Sequence, residues 1–310
     1  MTLRVLITGA SGFAGGYLAA YAHERGAAVY GMSRGAALPP GVAGIRGDLA
    51  DPADAQRAVR ASAPDYVFHL AAQTPANAPG AAPQEWLTVN PLGCLHLLEA
   101  VRAHAPAARV LVVSSSAVYG HVPAAQLPIR EGFALQPTTM YGVSKAAQEL
   151  LAIRYAAEYG MQVVRARPFN LLGPGEPRAM LTSTLAAQVA AIARGEAPPV
   201  VTMRHRATSR DFTDIRDAVR AYWALAERGA PGAVYNVCSG VAVPIGALAD
   251  RLLRLAGVSA RIEETAPVPA RGDIAAQCGS NEAIAGATGW RPAIGLDDSL
   301  AGLLRSFGLG

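Results

Sequence analysis

The chain alternates short apolar runs with longer segments whose apolar residues recur at helical spacing. Leu3 to Ile7 is apolar and ends in a turn at Gly9 to Gly12, and a helical pattern follows from Phe13 through Tyr21 to an end near Gly26. Ala28 to Met32 and Gly44 to Gly47 predict the second and third strands. Asp65 to Leu70 and Arg109 to Val113 are further apolar runs, short enough to be strands buried on both faces. Helical stretches at Ala53 to Ala61 and Gln84 to Ala103 separate these runs. A long one runs from Tyr141 to Tyr159, ahead of the strand-like Gln162 to Ala166.

Strands and helices alternating in this way imply right-handed crossovers and a parallel sheet, with ligands beyond the carboxyl ends of the strands. The alternation breaks in the turn-rich Asn170 to Pro177, and Pro-rich links follow at Ala197 to Pro199 and Ala266 to Pro269. A helix at Ile215 to Arg228 and an apolar run at Val234 to Val237 are regular again. The expected fold is α/β: a doubly wound parallel sheet of the Rossmann type, with a smaller C-terminal α/β lobe over the substrate. Residues 1–169 form the dinucleotide-binding domain, with 214–238 returning to it, and 170–213 with 239–310 form the lobe.

Composition narrows the function classes. With 310 residues, 51% of them hydrophobic, the chain can bury a full core. The net charge of +4 is spread without a Lys/Arg block, which argues against nucleic acid as a partner. Met1 to Thr8 lacks the features of a signal peptide, and no apolar stretch is long enough to span a membrane, so a cytoplasmic location away from the membrane is expected. Cys94, Cys238 and Cys278 lie far apart with no CxxC pair, as in a reducing compartment, and no metal site is expected.

Thr8-Gly9-Ala10-Ser11-Gly12-Phe13-Ala14-Gly15 places three glycines at three-residue spacing where the first strand turns into the first helix. Residues without Cβ let the backbone approach a pyrophosphate, whose charge the helix N-terminus then holds. Where an acidic residue commonly ends the second strand of NAD proteins, this chain has Ser33 and Arg34. Arg34 is suited to a 2′-phosphate, which favours NADP and leaves NAD as the other choice; an exposed arginine with no specific partner is the competing interpretation. Asp48 and Leu49, after the third strand, are placed to meet the adenine edge, but Asp48 is equally suited to cap the helix ahead of Ala53.

Lys145 is the one lysine in the chain, against 26 arginines. It follows Tyr141 by four residues, so on a helix the two side chains share a face. An ammonium there lowers the phenol pKa, as a general acid/base near neutral pH requires. Ser115, in the run Ser114-Ser115-Ser116 at the end of the strand Arg109 to Val113, can hydrogen-bond the reacting oxygen beside Tyr141.

The N-terminal Thr-Gly-x-x-Gly-x-x-Gly, the serines followed by Val118-Tyr119-Gly120, and Tyr-x-x-x-Lys resemble the extended short-chain dehydrogenase/reductases that act on nucleotide sugars. His69-Leu70-Ala71-Ala72-Gln73, Val89-Asn90, Arg167-Pro168-Phe169-Asn170 and Arg210-Asp211-Phe212-Thr213-Asp214 agree with that resemblance, which covers nearly the whole chain. It implies a catalytic set of Ser115, Tyr141 and Lys145. Against the cofactor it sets Gly9, Gly12, Phe13, Ala14, Gly15, Ser33, Arg34, Asp48, Leu49, Leu70, Ala71 and Ala72, together with Tyr141 and Lys145. Against the nucleotide sugar it sets Gln73, Ser115, Ser116, Asn170, Arg210 and Arg271, the arginines as forks for phosphate.

Family members that dehydrate the sugar carry an acidic residue two positions after the catalytic Ser or Thr, and this chain has Ala117 there, which disfavours dehydration. Arg210 to Asp217, Val234 to Gly240 and Gly279-Ser280-Asn281 are most similar to members that reduce a GDP-linked 6-deoxy-4-keto-hexose with NADPH at carbon four. A nucleotide-sugar 4-epimerase with tightly held NAD stays open, as does a dinucleotide sensor without turnover. The resemblance also implies a homodimer through the helices Gln84 to Ala103 and Thr138 to Tyr159.

Overall fold

Val5 and Ile7 point to one face of the first strand and Leu6 to the other, and all three are buried, which a strand achieves only when both faces of its sheet are covered. A computed structural model, which describes residues 2–35, 37–78, 80–266 and 274–309, shows how the covering is done. The strands are β1 (Arg4–Thr8), β2 (Ala28–Ser33), β3 (Ala43–Arg46), β4 (Tyr66–His69), β5 (Arg109–Val113), β6 (Val163–Pro168), β7 (Asn170–Leu172), β8 (Val200–Met203), β9 (Ser209–Asp214), β10 (Val234–Val237), β11 (Ala242–Pro244) and β12 (Arg261–Glu264). The helices are α1 (Phe13–Glu24), α2 (Pro52–Ser62), α3 (Pro83–Leu87), α4 (Gly93–His104), α5 (Met140–Tyr159), α6 (Leu181–Ala193), α7 (Ile215–Arg228), α8 (Ile245–Ala256), α9 (Glu282–Thr288) and α10 (Leu296–Ser306).

Seven strands form one parallel sheet in the order β10-β6-β5-β4-β1-β2-β3. One core fills the face under α1 and α7, around Val5, Ile7, Leu18, Phe68 and Tyr222. The other lies under α2, α4 and α5, around Leu6, Val59, Leu97 and Val112. A three-stranded sheet, β11-β9-β7, and the parallel pair β12-β8 carry a third core with α6, α8 and α10, around Leu172, Leu185, Leu248 and Leu300. Strand order reverses between β1 and β4, and the crevice there opens at the carboxyl ends.

Two local expectations fail for identifiable reasons. The helix expected over Gln84 to Ala103 is α3 and α4 joined by a π-helical turn, Thr88–Leu92, that contains Pro91. Proline has no N–H to give the carbonyl four residues back, and the widened turn absorbs the mismatch. The cap of α2 is Asp51, which accepts from Ala53 N at 2.9 Å, so Asp48 is not the capping residue.

Beneath the carboxyl edge a buried ionic network ties α5 to β6. Glu149, fully buried, accepts from Arg167 Nε at 2.8 Å and Nη2 at 2.7 Å and pairs with Arg165 at 3.4 Å. Arg167 also donates to the Tyr119 hydroxyl at 2.9 Å, and Tyr119 donates to Asn236 Oδ1 on β10 at 2.6 Å. Removing the one carboxylate leaves two buried guanidinium groups uncompensated. Glu149→Ala is therefore expected to lower unfolding stability by about 3–5 kcal/mol in urea melts; a loss within the error of the melt would contradict this account of the network.

Candidate active site

The turn after β1 has no room for side chains. Gly9 has a positive φ of 74°, and a Cβ on it would lie 2.8 Å from Ala71 N; a Cβ on Gly15 would lie 2.1 Å from Gly9 O. The first turn of α1 therefore packs directly on the ends of β1 and β4. Gly12 occupies the N-cap of α1 without a side-chain cap, which leaves the positive end of the helix directed at whatever lies beyond the turn. Thr8 fixes the two strand ends together. Its hydroxyl is 2.8 Å from His69 Nδ1 and accepts from Ala71 N at 3.2 Å. Burial pushes the His69 imidazole down to about 3, so the ring is neutral in this contact.

From this turn a cavity of about 1090 Å³ extends along the carboxyl edge of the sheet. Its wall contains Gly9, Gly12, Phe13, Ala14, Gly15, Ser33, Arg34, Asp48, Leu49, Leu70, Ala71, Ala72 and Tyr141, all expected at the cofactor. Gln73, Ser115, Ser116 and Asn170, expected at the sugar nucleotide, line the same cavity. The glycine cradle and open helix end fit a dinucleotide pyrophosphate. A second cavity, of about 800 Å³, shares Arg34, Gly47 and Asp48 with the first and adds Arg46 and Arg57. Arg46 pairs in register with Ser33 and is exposed, so Ser33, Arg34 and Arg46 stand at one end of the cavity.

The reactive end is assembled from β5 and α5. Thr139 caps α5 by accepting from Gly142 N at 3.0 Å, and a Cβ on Gly142 would lie 2.7 Å from Ala117 O, so the helix start abuts the turn after β5. Ser115 opens that turn, its hydroxyl accepting from Ala117 N at 3.1 Å and near enough to the Tyr141 phenol to oppose the rise in its pKa. Tyr141 rests edge-on against Trp86, with ring centroids 6.0 Å apart. Asn90, from the π turn, donates to Ser144 Oγ at 2.8 Å and exchanges hydrogen bonds with the Gln73 backbone at 2.7 and 3.1 Å. The irregular turn thus ties α5 to the cavity wall.

Lys145 departs from expectation. It does not line the cavity; its buried ammonium donates to Val113 O at 2.6 Å and to Gln148 Oε1 at 2.8 Å. Burial pushes it down to about 8, opposed by Cys94 and Glu149. Tyr141 is not lowered either: burial raises its phenol above the ordinary value, and the opposing influence is the Ser115 hydrogen bond. The expected lowering by the ammonium is absent, and the loss of solvent around the phenol sets the direction of its shift.

Arg210 is also outside the wall, and its Nη1 donates to Ser209 O at 2.8 Å; Arg271 lies outside the described residues. Asn170 keeps its place in the wall while donating to Asp211 O at 2.9 Å. Sequence reading missed Arg46, Met32, Glu85, Met180 and Gln277 as wall residues. None belongs to a local motif. Only Arg46 carried a signal, as a cation beside a strand end.

Comparison with known proteins agrees with this geometry. The model of the NAD dependent epimerase/dehydratase family matches residues 5–238. A GDP-6-deoxy-D-mannose reductase of Pseudomonas aeruginosa is 36% identical over 304 residues, covering 98% of this chain and 97% of the relative. The solved structure of RMD from Pseudomonas aeruginosa, complexed with NADPH, superposes with a TM-score of 0.86 at 34% identity over 98% of each chain. Thermus thermophilus UDP-glucose 4-epimerase, solved with NAD, superposes with a TM-score of 0.87 at 28% identity over 99% of each.

Gly15→Ala is expected to abolish NADPH binding, read by nicotinamide fluorescence, because its methyl meets Gly9 O; retained affinity would contradict the cradle. A second expectation concerns Lys145. Its folded pKa of about 8 lies below the ordinary 10.5, so between these values the unfolded chain holds a proton that the folded chain lacks. Its contribution to stability therefore rises with pH across that window. Melts of wild type and Lys145→Met against pH should differ in slope there, and parallel curves would contradict the shift.

Proposed function

The chain belongs to the NAD dependent epimerase/dehydratase family, and from that premise we propose that it reduces the C4 ketone of GDP-6-deoxy-4-keto-D-mannose with NADPH, giving GDP-6-deoxy-D-mannose (GDP-D-rhamnose). The observation that carries this reading is the similarity, over nearly the full length of both chains, to a GDP-6-deoxy-D-mannose reductase. Ala117 supports reduction over dehydration, because the wall position two residues after Ser115 holds a methyl where elimination needs a carboxyl group.

NADPH, when bound, supplies the hydride that adds to carbon four. Gly9, Gly12 and Gly15 with the start of α1 hold the pyrophosphate, and Ser33, Arg34 and Arg46 hold the 2′-phosphate, where guanidinium forks match phosphate geometry. Tyr141 donates a proton to the oxygen on carbon four as negative charge develops there. Burial adds to the ordinary preference of a phenol for its protonated form, the form that donates the proton. Ser115 hydrogen-bonds the same oxygen and orients the phenol. Lys145 braces the end of β5 against α5 through Val113 O. Gln73, Ser116 and Asn170 face the sugar nucleotide.

The proposal extends to organisation. Residues 1–169 with 214–238 hold the dinucleotide, and 170–213 with 239–310 form the sugar-nucleotide lobe, except that Ile284 on α9 and Trp290 pack in the core under α1 and α7. Met140, Val143, Leu150 and Ile153 make an exposed apolar stripe on α5, with Leu150 59% exposed, and a homodimer through this helix would cover it. Three free, buried cysteines fit a reducing cytoplasm, and no helix among the described residues is long and apolar enough to cross a membrane.

The test follows nicotinamide absorbance after mixing protein, NADPH and enzymatically generated GDP-4-keto-6-deoxy-D-mannose. Protein-dependent loss of NADPH with formation of a GDP-deoxyhexose is expected, and recovery of unreacted ketone would contradict the substrate. Tyr141→Phe should lower kcat by about a hundredfold or more with NADPH affinity retained; unchanged turnover would remove Tyr141 from its role.

A further inference from the structure

Among the described residues beyond position 240, only Ile274 and Gln277 reach the cavity wall. They lie on a strand-like arm anchored on both sides. Ser209 N donates to Ala275 O at 2.9 Å and Gln277 N donates to Ser209 O at 3.0 Å, which fastens the arm to the start of β9. Ile129 N donates to Cys278 O at 2.8 Å, Ser280 N donates to Ile129 O at 2.8 Å, and Gly279 N donates to Asp211 Oδ2 at 3.2 Å. With its backbone held at both ends, the Gln277 side chain has a fixed origin.

That side chain, 5% exposed, meets the turn after β5. Ser116 Oγ donates to Gln277 Oε1 at 3.3 Å, and Gln277 Nε2 donates to Ser116 O at 3.3 Å. A carbonyl oxygen only accepts, so Ser116 O fixes which end of the amide is the nitrogen. Ser116 follows Ser115 and begins the short helical turn Ser116–Tyr119 that Ser115 caps. The turn is therefore gripped from two sides, by the start of α5 at Ala117 and by the arm at Ser116. Beyond the two bonds to Ser116, the carboxamide retains one N–H and one lone pair in a cavity wall, enough to meet a sugar hydroxyl.

We propose that Gln277 is a positioning residue through which the sugar-nucleotide lobe acts on Ser115: its paired hydrogen bonds to Ser116 hold the catalytic turn so that Ser115 engages Tyr141. A shift of the arm on sugar binding is passed to the reacting oxygen by this side chain. The kinetic side of the proposal rests on the reductase reading; the geometric side does not.

Two readouts separate these. In protein carrying isotope-labelled tyrosine Cζ, the Tyr141 resonance, assigned by its loss in Tyr141→Phe, reports the Ser115 hydrogen bond without any substrate. Gln277→Met keeps the length and removes both bonds. It should move that resonance in the same direction as Ser115→Ala, lower kcat on the order of tenfold through misplacement of Ser115, and leave NADPH affinity unchanged. Gln277→Glu keeps the acceptor for Ser116 Oγ but sets a carboxylate oxygen against Ser116 O, so a shift of the resonance is again expected, and it serves if the methionine variant does not fold. An unmoved Tyr141 resonance in the folded variants overturns the proposal. If the wild type reduces no 4-keto sugar, the reductase reading fails while the resonance still decides the role of Gln277.

Discussion

The closeness with which the turn after β1 lies on the ends of β1 and β4 sets the geometry of the whole site. Gly9 backs onto Ala71, Gly15 backs onto Gly9, and Thr8 links His69 to Ala71 beneath them. Side chains at either glycine would force α1 away from the sheet, and with it the positive helix end that faces the cavity. Because β1 is the strand at which the order reverses, this packing also defines the crevice in which a long ligand can lie across the sheet.

The chemistry at the other end depends on burial more than on charge pairing. Tyr141 and Lys145 share a helix face, yet solvent exclusion dominates both: the phenol is held protonated and the ammonium is pushed down toward neutrality. Lys145 then acts as a brace between β5 and α5, with the Glu149 network below it fixing α5 to β6. The two elements carrying Ser115 and Tyr141 are joined by polar contacts that tolerate little displacement.

Much of this was legible in sequence because the informative residues are neighbours. The glycine turn, the Tyr141 and Lys145 spacing, the serines at a strand end and the family resemblance they carry all rest on short-range patterns, and the strands around them are short, apolar and β-branched. The parts that were not legible depend on distant partners. The helix expected over Gln84 to Ala103 hides the π turn at Pro91 that brings Asn90 to Ser144 and Gln73. Asp48 reads as the cap of the helix ahead of Ala53, whereas Asp51 accepts from Ala53 N. Arg46 gains meaning only through its register with Ser33, and Gln277 only because its arm crosses from β9 to Ile129. Arg210, a motif residue, gives one hydrogen bond to the neighbouring Ser209 carbonyl.

The account predicts net hydride transfer to a sugar carbon beside Tyr141, and the measurement that tests it most directly follows isotope rather than absorbance. NADPH deuterated at the transferable position of the nicotinamide, supplied with GDP-6-deoxy-4-keto-D-mannose, should yield a GDP-deoxyhexose carrying deuterium at carbon four, with one NADP formed per sugar. A product without deuterium at that carbon, or a change at carbon four with NADPH left intact, would contradict it.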